Sequence, residues 1–292
     1  MIRLLALLGV LGISFSAIFL RLSGVSPVTA ALFRGLYALP VLVCLWLMTR
    51  ASDTRPRASR IRAAGSGIFL ALDLVLWHQA IFDIGAGLAT VLINAQVIFV
   101  GALAWALYHE RPSRTAMVLI PVVLAGVVLI SGLGRADAYG ANPVSGVILA
   151  VAAAAFYAMF QLQFRESNRT LAPPPGPVFD VTIGMTLGSL VLAAPFDPRF
   201  SIAFSWPAHG WLIAMAIICQ ALAWILLGIA LPRLPALETS VILLSQPMGT
   251  VTWGWLILDE RMSAIQAAGM VLMTVGIALL LVMGTVTGRT PP

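Results

Sequence analysis

The sequence predicts an all-α polytopic membrane protein with ten transmembrane helices, and three observations support this fold class. Apolar residues make up 60% of the 292 residues, the mean hydropathy is +1.00, and only 10% of the residues are charged. A soluble domain carries about 25% charged residues and has too little interior to bury so much apolar surface. The apolar residues also fall into runs of about 20, the length at which a helix crosses about 30 Å of hydrocarbon.

Ten such runs are separated by glycine, proline and charged residues. The first run follows Arg3 and has no clear small-residue cleavage site, so we interpret it as a membrane span rather than as a signal peptide. Pro232 and Pro235 separate the eighth and ninth runs, because proline ends a helix. The predicted spans are Leu4–Leu20, Pro27–Thr49, Ala63–Phe82, Leu88–Tyr108, Thr115–Leu133, Pro143–Gln163, Pro177–Phe196, Ala208–Leu231, Ala236–Leu258 and Ala264–Gly284.

The distribution of arginine predicts the orientation of the chain. All 17 basic residues are arginine; twelve lie on the side of the two termini, four lie on the opposite side, and Arg34 lies within a span. Because cytoplasmic loops carry the excess of positive charge, we expect a multi-pass protein of a bacterial-type inner membrane with both termini in the cytoplasm.

Several classes of protein are excluded by composition. The net charge of +6 comes from sparse arginines without an aromatic-laced basic patch, so no nucleic-acid partner is predicted. Cys44 and Cys219 lie inside apolar runs and cannot form a disulfide framework. Neither a metal-ligand spacing nor a nucleophile elbow occurs. We therefore predict no catalytic residue and no metal, and a protein that is not an enzyme.

The second half of the chain repeats the first. At an offset of 150 residues, AWALYHERPS at the end of span four matches GWLILDERMS at the end of span nine, and Gln96 matches Gln246. FSAIF in span one echoes FYAMF in span six. We predict two five-helix units, 1–137 and 138–292. Because five is odd, the units have inverted topology, which is typical of secondary transporters with a midplane substrate site. A duplicated channel or membrane enzyme is the alternative.

These repeated motifs, together with AALFRGLYALP in span two and LLSQPMG in span nine, resemble the ten-span EamA-type members of the drug/metabolite transporter superfamily. The resemblance covers essentially the whole chain. It implies transport without an ATPase or cofactor and a cavity built from spans one to four and six to nine. The inverted repeat predicts alternating access, and spans five and ten, apolar almost throughout, are expected on the outside, where they could mediate a homodimer. One departure is Val97 opposite Pro247, which predicts a kink in span nine that span four lacks.

Arg34 and Asp73 are the two charged residues expected deep in the hydrocarbon. Arg34 lies seven residues inside span two, about 10 Å, and Asp73 lies ten residues inside span three, about 15 Å. Such charges need a partner or a water-filled cavity. Two interpretations remain open: the residues bind the carboxylate and ammonium groups of a zwitterion, or they pair with each other and hold spans two and three together.

The other candidate binding residues are polar or aromatic side chains within the spans: Trp77, His78, Asn94, Gln96, Tyr157, Gln161, Gln220, Trp224 and Gln246. Trp77 shares a helix face with Asp73, whereas His78 does not. His78 either carries a proton or makes an interhelical hydrogen bond, and the amides either line the pathway or join helices. Glu110 and Glu260, at the ends of spans four and nine, either anchor helix ends or act at a gate.

The predicted function is secondary transport of a small amphiphilic metabolite, an amino acid or a related compound, with export as the expected direction. Import of a small metabolite or a vitamin-like compound is the alternative. A channel, a lipid scramblase and an intramembrane enzyme are less favoured, because the spans lack a continuous polar lining and a catalytic set.

Overall fold

Helices make up nearly all of the computed structural model, which describes residues 1–84, 86–131, 142–169, 172–259, 263–283 and 286–287. The side chains at 78, 82, 86–88, 192–196 and 286–287 are outside this description. Within it, eight helical segments have the length and hydropathy of membrane spans, and Arg114–Ile130 is apolar but 17 residues long. The predicted class of all-α polytopic membrane protein is therefore confirmed, while the ten spans and the inverted repeats stay predictions.

The bounds of the described helices follow the predicted runs closely. In chain order the helices are α1 (Ile2–Ser14), α2 (Ser16–Ser23), α3 (Pro27–Thr49), α4 (Arg57–Ile84), α5 (Ala86–Asn94), α6 (Gln96–Tyr108), α7 (Arg114–Ile130), α8 (Pro143–Ser167), α9 (Pro175–Phe196), α10 (Ala208–Met215), α11 (Ala223–Ala230), α12 (Ala236–Leu243), α13 (Gln246–Leu258) and α14 (Ala264–Met283). A π-helical segment, Ala216–Leu222, joins α10 to α11. Short 3-10 turns lie at Arg50–Ser52 and Leu231–Arg233, and strands β1 (Arg111–Pro112) and β2 (Val286–Thr287) pair antiparallel.

The chain packs as two compact units. Unit 1 contains Met1–Val75 and Met159–Arg233, and unit 2 contains Leu76–Ala158 and Leu234–Pro292. The divisions fall within α4 and α8, so the units group residues by packing and do not follow the predicted repeat boundary at residue 137. The repeat units 1–137 and 138–292 stay a prediction.

Unit 1 is held together by close helix crossings. α3 packs against α9, and α1 packs against α11. The start of α3 is fixed by Ser26, whose hydroxyl accepts a hydrogen bond from the Thr29 amide at 3.2 Å, and by Pro27 at the first helical position. α4 and α9 meet through glycine: a Cβ added to Gly67 would lie 2.6 Å from the Met185 nitrogen. Only glycine permits so close an approach of two backbones.

A cluster of charged side chains ties the loop after α3 to the second turn of α9. Arg55 lies 2.8 Å from the Asp53 carboxylate and 2.9 Å from Asp180, and Arg60 lies 3.7 Å from Asp180. The hydrogen bonds that Arg55 donates hold the pKa of Asp53 below its usual value. The cluster therefore connects two segments that are far apart in the sequence.

In unit 2, α7 packs along α14 and these two helices share the core with α12. Gly126 and Gly269 allow the approach, since a Cβ on Gly126 would lie 3.0 Å from the Gly269 carbonyl oxygen. The start of α12 is capped from the segment after α6: the Ala236 amide donates to Glu110 Oε2 at 2.9 Å. Glu110 thus anchors the start of a helix, which agrees with the anchoring role that was one of its two predicted roles. Glu260 lies outside the described residues.

Span four is interrupted, contrary to the expectation drawn from Val97. α5 ends at Asn94 and α6 begins at Gln96. The Asn94 side-chain amide donates to the Thr90 carbonyl oxygen at 2.7 Å. Side-chain hydrogen bonds of this kind compete with the backbone ladder and bend a helix. The prediction of a kink in span nine alone was therefore wrong, because asparagine interrupts span four where no proline is present.

Spans nine and one are interrupted as well. α12 ends at Leu243 and α13 begins at Gln246, where Pro247 lacks the amide hydrogen that a continuous helix needs. In span one, the break between α1 and α2 falls at Phe15. Helices that break within a membrane leave backbone polar groups available, and such breaks are typical of transporter binding sites.

Candidate functional site

The guanidinium group of Arg34 is the centre of a buried polar network in unit 1. Its Nε donates to Gln220 Oε1 at 2.9 Å, and its Nη2 donates to the Cys219 carbonyl oxygen at 3.2 Å. Nη1 donates to Ser16 Oγ at 3.3 Å. Arg34 is 9% exposed and Gln220 is fully buried. The network therefore orients a positive charge inside the predicted membrane region, where an unsolvated charge is costly.

Two irregular helical segments supply the partners of Arg34. Cys219 and Gln220 belong to the π-helical segment, which takes its carbonyl groups out of the ordinary i−4 ladder. π-Helical turns are rare and occur frequently at functional sites. Ser16 is the first residue of α2, directly after the break in span one. Gln220 is held in turn by Thr182 of α9, whose Oγ1 accepts from Gln220 Nε2 at 3.0 Å.

Asp73 is the second of the two charged residues that the sequence places deep within the predicted spans. It lies on α4 and is 6% exposed, and among the described residues its Oδ1 has no hydrogen-bond partner. The charge of Arg34 acts on the Asp73 carboxylate. A buried carboxylate without a hydrogen-bonded counter-ion carries a desolvation penalty of several kcal/mol. The site thus holds a buried carboxyl group whose ionised form a bound cationic group would stabilise.

Aromatic side chains lie one turn further along span eight. Trp224 follows Gln220 by four residues and packs edge-on against Phe160 at 5.0 Å and Phe164 at 5.8 Å between ring centroids. Trp224 is 3% exposed, and its indole nitrogen has no hydrogen-bond partner in the described part of the chain. Gln161, next to Phe160 in the sequence, is also buried. Unit 1 therefore combines two charges, amides and an aromatic cluster.

The candidates in unit 2 are placed differently. Trp77 packs against a buried apolar cluster that includes Ala80 and Ala150. The Asn94 amide is used within its own helix, as described above. Tyr157 is partly buried on α8. The backbone of His78 lies in α4, while its side chain is outside the described residues, so the two interpretations of His78 stay predictions.

The two matched glutamines of the repeat differ in their hydrogen bonds. Gln96 Oε1 accepts from Ser240 Oγ at 2.8 Å, which joins α6 to α12. Gln246 is partly buried, and its side-chain amide makes no hydrogen bond within the described ranges. Both glutamines begin the second half of an interrupted span. Of the two matched amides, the structure therefore uses only that of Gln96 to join helices within the described ranges.

Ser16 and Thr182 are site residues that the sequence analysis missed. Both carry hydroxyl groups, which in apolar helices usually bond to a carbonyl of their own helix, as Thr182 Oγ1 does with Val178 at 2.8 Å. A signal for Ser16 was present in the repeat, because FSAIF places Ser16 opposite Tyr157 of FYAMF. For Thr182 the sequence offered no comparable signal.

Comparison with known proteins gives the family. The model of the EamA-like transporter family matches residues 1–132 and 144–282. The uncharacterized transporter sll1319 of Synechocystis sp. is 26% identical over 273 residues, which cover 91% of this chain and 79% of that protein. An uncharacterized transporter of Archaeoglobus fulgidus is 26% identical over 271 residues, with 91% and 92% coverage.

A solved crystal structure extends the similarity to the fold. It matches with a TM-score of 0.80 at 18% sequence identity and covers 97% of this chain and 96% of the other chain. At this identity the match shows the fold alone. The family match covers nearly the whole length, so the chain belongs to the EamA-like transporter family and is a multi-pass membrane transporter.

Proposed function

We propose that the protein is a secondary transporter that exports a small zwitterionic, amphiphilic metabolite, an amino acid or a related compound, across the inner membrane. The observation that carries the proposal is the pair of buried charges in unit 1. Arg34 is fixed as a cation by Gln220, Ser16 and Cys219, and Asp73 has a buried oxygen without a hydrogen-bond partner among the described residues.

A zwitterion offers the two groups that this arrangement requires. Its carboxylate would bind the Arg34 guanidinium, whose planar fork suits two parallel hydrogen bonds. The contacts to Ser16 and Cys219, at 3.3 and 3.2 Å, are the longest of the network and would be exchanged for the substrate. The ammonium group would neutralise Asp73, and the aromatic cluster around Trp224 favours an apolar or aromatic side chain.

Alternating access is supported by the interrupted spans one, four and nine. Each break gives a hinge at which the backbone is not held by a continuous hydrogen-bond ladder. The chain contains no lysine and hence no Walker-A motif, so an ion or substrate gradient would drive transport. The arginine distribution supports cytoplasmic termini, and the absence of a catalytic set in the sequence supports a protein that is not an enzyme.

Counterflow in proteoliposomes tests this function. Vesicles loaded with an unlabelled amino acid should accumulate the labelled compound transiently and saturably, as only a carrier does. Asp73→Asn should abolish this accumulation while expression and elution in gel filtration stay normal. Asp259→Asn is the matched control, because Asp259 is an exposed carboxylate at a left-handed position that asparagine also tolerates.

The outcome against the proposal is equally specific. Accumulation by Asp73→Asn equal to that of Asp259→Asn would remove Asp73 from the site. Efflux from preloaded cells, measured with and without the protein, tests the proposed direction, and faster uptake than efflux under equal gradients would contradict export.

A further inference from the structure

An apolar groove lies between α6 and α7 in unit 2, and its lining residues differ from those of the polar network described above. Its volume is about 630 Å³, within the range of roughly 300–1,000 Å³ that is typical of ligand sites. Gly101 on α6 leaves space in the groove, and Leu237 of α12 forms part of its floor. Ile98 and Met117, at its edge, are 57% and 60% exposed.

The groove has the length of one leaflet of a bilayer. Val97, at its deep end, lies eleven residues before the end of α6 at Tyr108, about 16 Å along the helix. Leu124 lies ten residues after the start of α7 at Arg114, about 15 Å. Half of a hydrocarbon core about 30 Å thick is about 15 Å. The groove therefore extends from the end of the helices to the midplane.

The outer end of the groove has the character of a membrane interface. Trp105, in the last turn of α6, is 55% exposed, and tryptophan is enriched where lipid headgroups lie. Pro112 lines the mouth between the exposed residues Arg111 and Arg114. Within the described ranges the Arg114 side chain forms no hydrogen bond or ion pair. The carboxylate of Glu110 is buried and caps α12, so positive charge prevails at the mouth.

We propose that this groove binds one phospholipid with an anionic headgroup. One acyl chain lies in the apolar groove along α6 and α7, and the lipid phosphate lies beside Arg114. The apolar lining and the length of one leaflet fit the chain, and the arginines at the mouth fit an anionic headgroup. In the predicted topology this leaflet faces the cytoplasm, where anionic lipids are concentrated.

Thermal unfolding of the purified protein with added lipid tests the headgroup. Phosphatidylglycerol should raise the unfolding midpoint more than phosphatidylcholine with the same acyl chains. Arg114→Gln should lose this difference. Arg62→Gln is the matched control, since Arg62 is an exposed arginine outside the groove, and it should keep the difference. An equal difference in both variants would overturn the role of Arg114.

Mass spectrometry of lipids retained after detergent washing tests the acyl chain. Ala102→Phe should displace the retained anionic lipid, because Ala102 lines the groove and is exposed. Ala268→Phe, on an exposed position of α14, is the matched control and should retain the lipid. Equal retention by both variants would overturn the placement of the acyl chain, and equal retention of neutral and anionic lipids by the wild type would overturn the headgroup preference.

Discussion

Replacing Gly67 by alanine should destabilise the protein, whereas the same change at Gly65 should stabilise it. Both residues lie on α4, two positions apart. A Cβ added to Gly67 would lie 2.6 Å from the backbone nitrogen of Met185 on α9, while a Cβ added to Gly65 meets nothing within 4 Å. The comparison therefore separates the close crossing of α4 and α9 from the general effect of alanine on a helix.

The magnitude follows from two opposing terms. Alanine in place of glycine within a helix contributes about 1 kcal/mol, and this is the whole effect expected at Gly65. At Gly67 the obstacle is backbone, and the added Cβ would lie closer still to the Val181 carbonyl oxygen of α9. The two helices must therefore separate by more than about 1 Å to restore contacts of about 3.5 Å. Overpacking of this kind costs about 1–3 kcal/mol. The alanine contribution is common to both variants and cancels, so we expect Gly67→Ala to be less stable than Gly65→Ala by about 1–3 kcal/mol.

Equilibrium unfolding in detergent measures this difference, and counterflow extends it to function. The crossing at Gly67 touches α9 next to Thr182, which holds Gln220 in the Arg34 network. Transport by Gly67→Ala should therefore fall, and transport by Gly65→Ala should not. If Gly67→Ala unfolds at or above the midpoint of Gly65→Ala, the α4–α9 crossing described above is refuted.

Three further predictions concern charged residues. Glu110→Ala should lower the free energy of unfolding by about 0.5–2 kcal/mol, because it removes the cap of α12 at Ala236, and equilibrium unfolding measures the loss. Acidification below about pH 4 should lower the unfolding midpoint of the wild type more than that of Asp53→Asn. Hydrogen bonds from Arg55 lower the pKa of Asp53 in the folded protein. The stabilisation from these bonds is therefore present above the unfolded-state pKa and is lost as the pH falls through the folded-state pKa. Arg34→Lys should lose saturable counterflow despite its positive charge, because an ammonium group cannot reproduce the planar fork.

Each of these predictions has a result that contradicts it. Glu110→Gln keeps an acceptor oxygen and should lose less stability than Glu110→Ala, so equal losses would contradict capping. Parallel acid unfolding of wild type and Asp53→Asn would contradict the ion pair as a source of stability. Counterflow at the wild-type rate in Arg34→Lys would show that only charge matters at that position.

The sequence predicted the charged part of the site because charge is rare in a membrane span. Arg34 stood out as a charged residue within an apolar run, and Gln220 stood out as a polar residue within another. The structure joins their side chains by a hydrogen bond of 2.9 Å. Ser16 and Thr182 did not stand out, because a hydroxyl group can satisfy itself on its own helix. Whether these two residues belong to the Arg34 network depends on which helices pack against each other, and the sequence does not show that packing.

The interruption of span four was missed for a different reason. Proline removes a backbone donor and is readable from the sequence, so Pro247 predicted the break in span nine. Asn94 acts through its side chain, which bonds to the Thr90 carbonyl oxygen. Asparagine can equally line a pathway or join helices, so its residue type alone does not predict a break. The bounds of α3, in contrast, agree with the prediction because Ser26 and Pro27 specify its start.

The proposed site assigns Arg34 and Asp73 to the two ends of a zwitterion, and substrate analogues test this assignment most directly. The rise in the thermal unfolding midpoint of the purified protein, which reports binding without transport, should be measured with an amino acid, its analogue without the amino group and its analogue without the carboxylate. The wild type should prefer the zwitterion to both analogues, and Asp73→Asn should lose only the preference that depends on the amino group. If Asp73→Asn discriminates between these compounds as the wild type does, Asp73 does not bind the ammonium group and the proposed site is wrong.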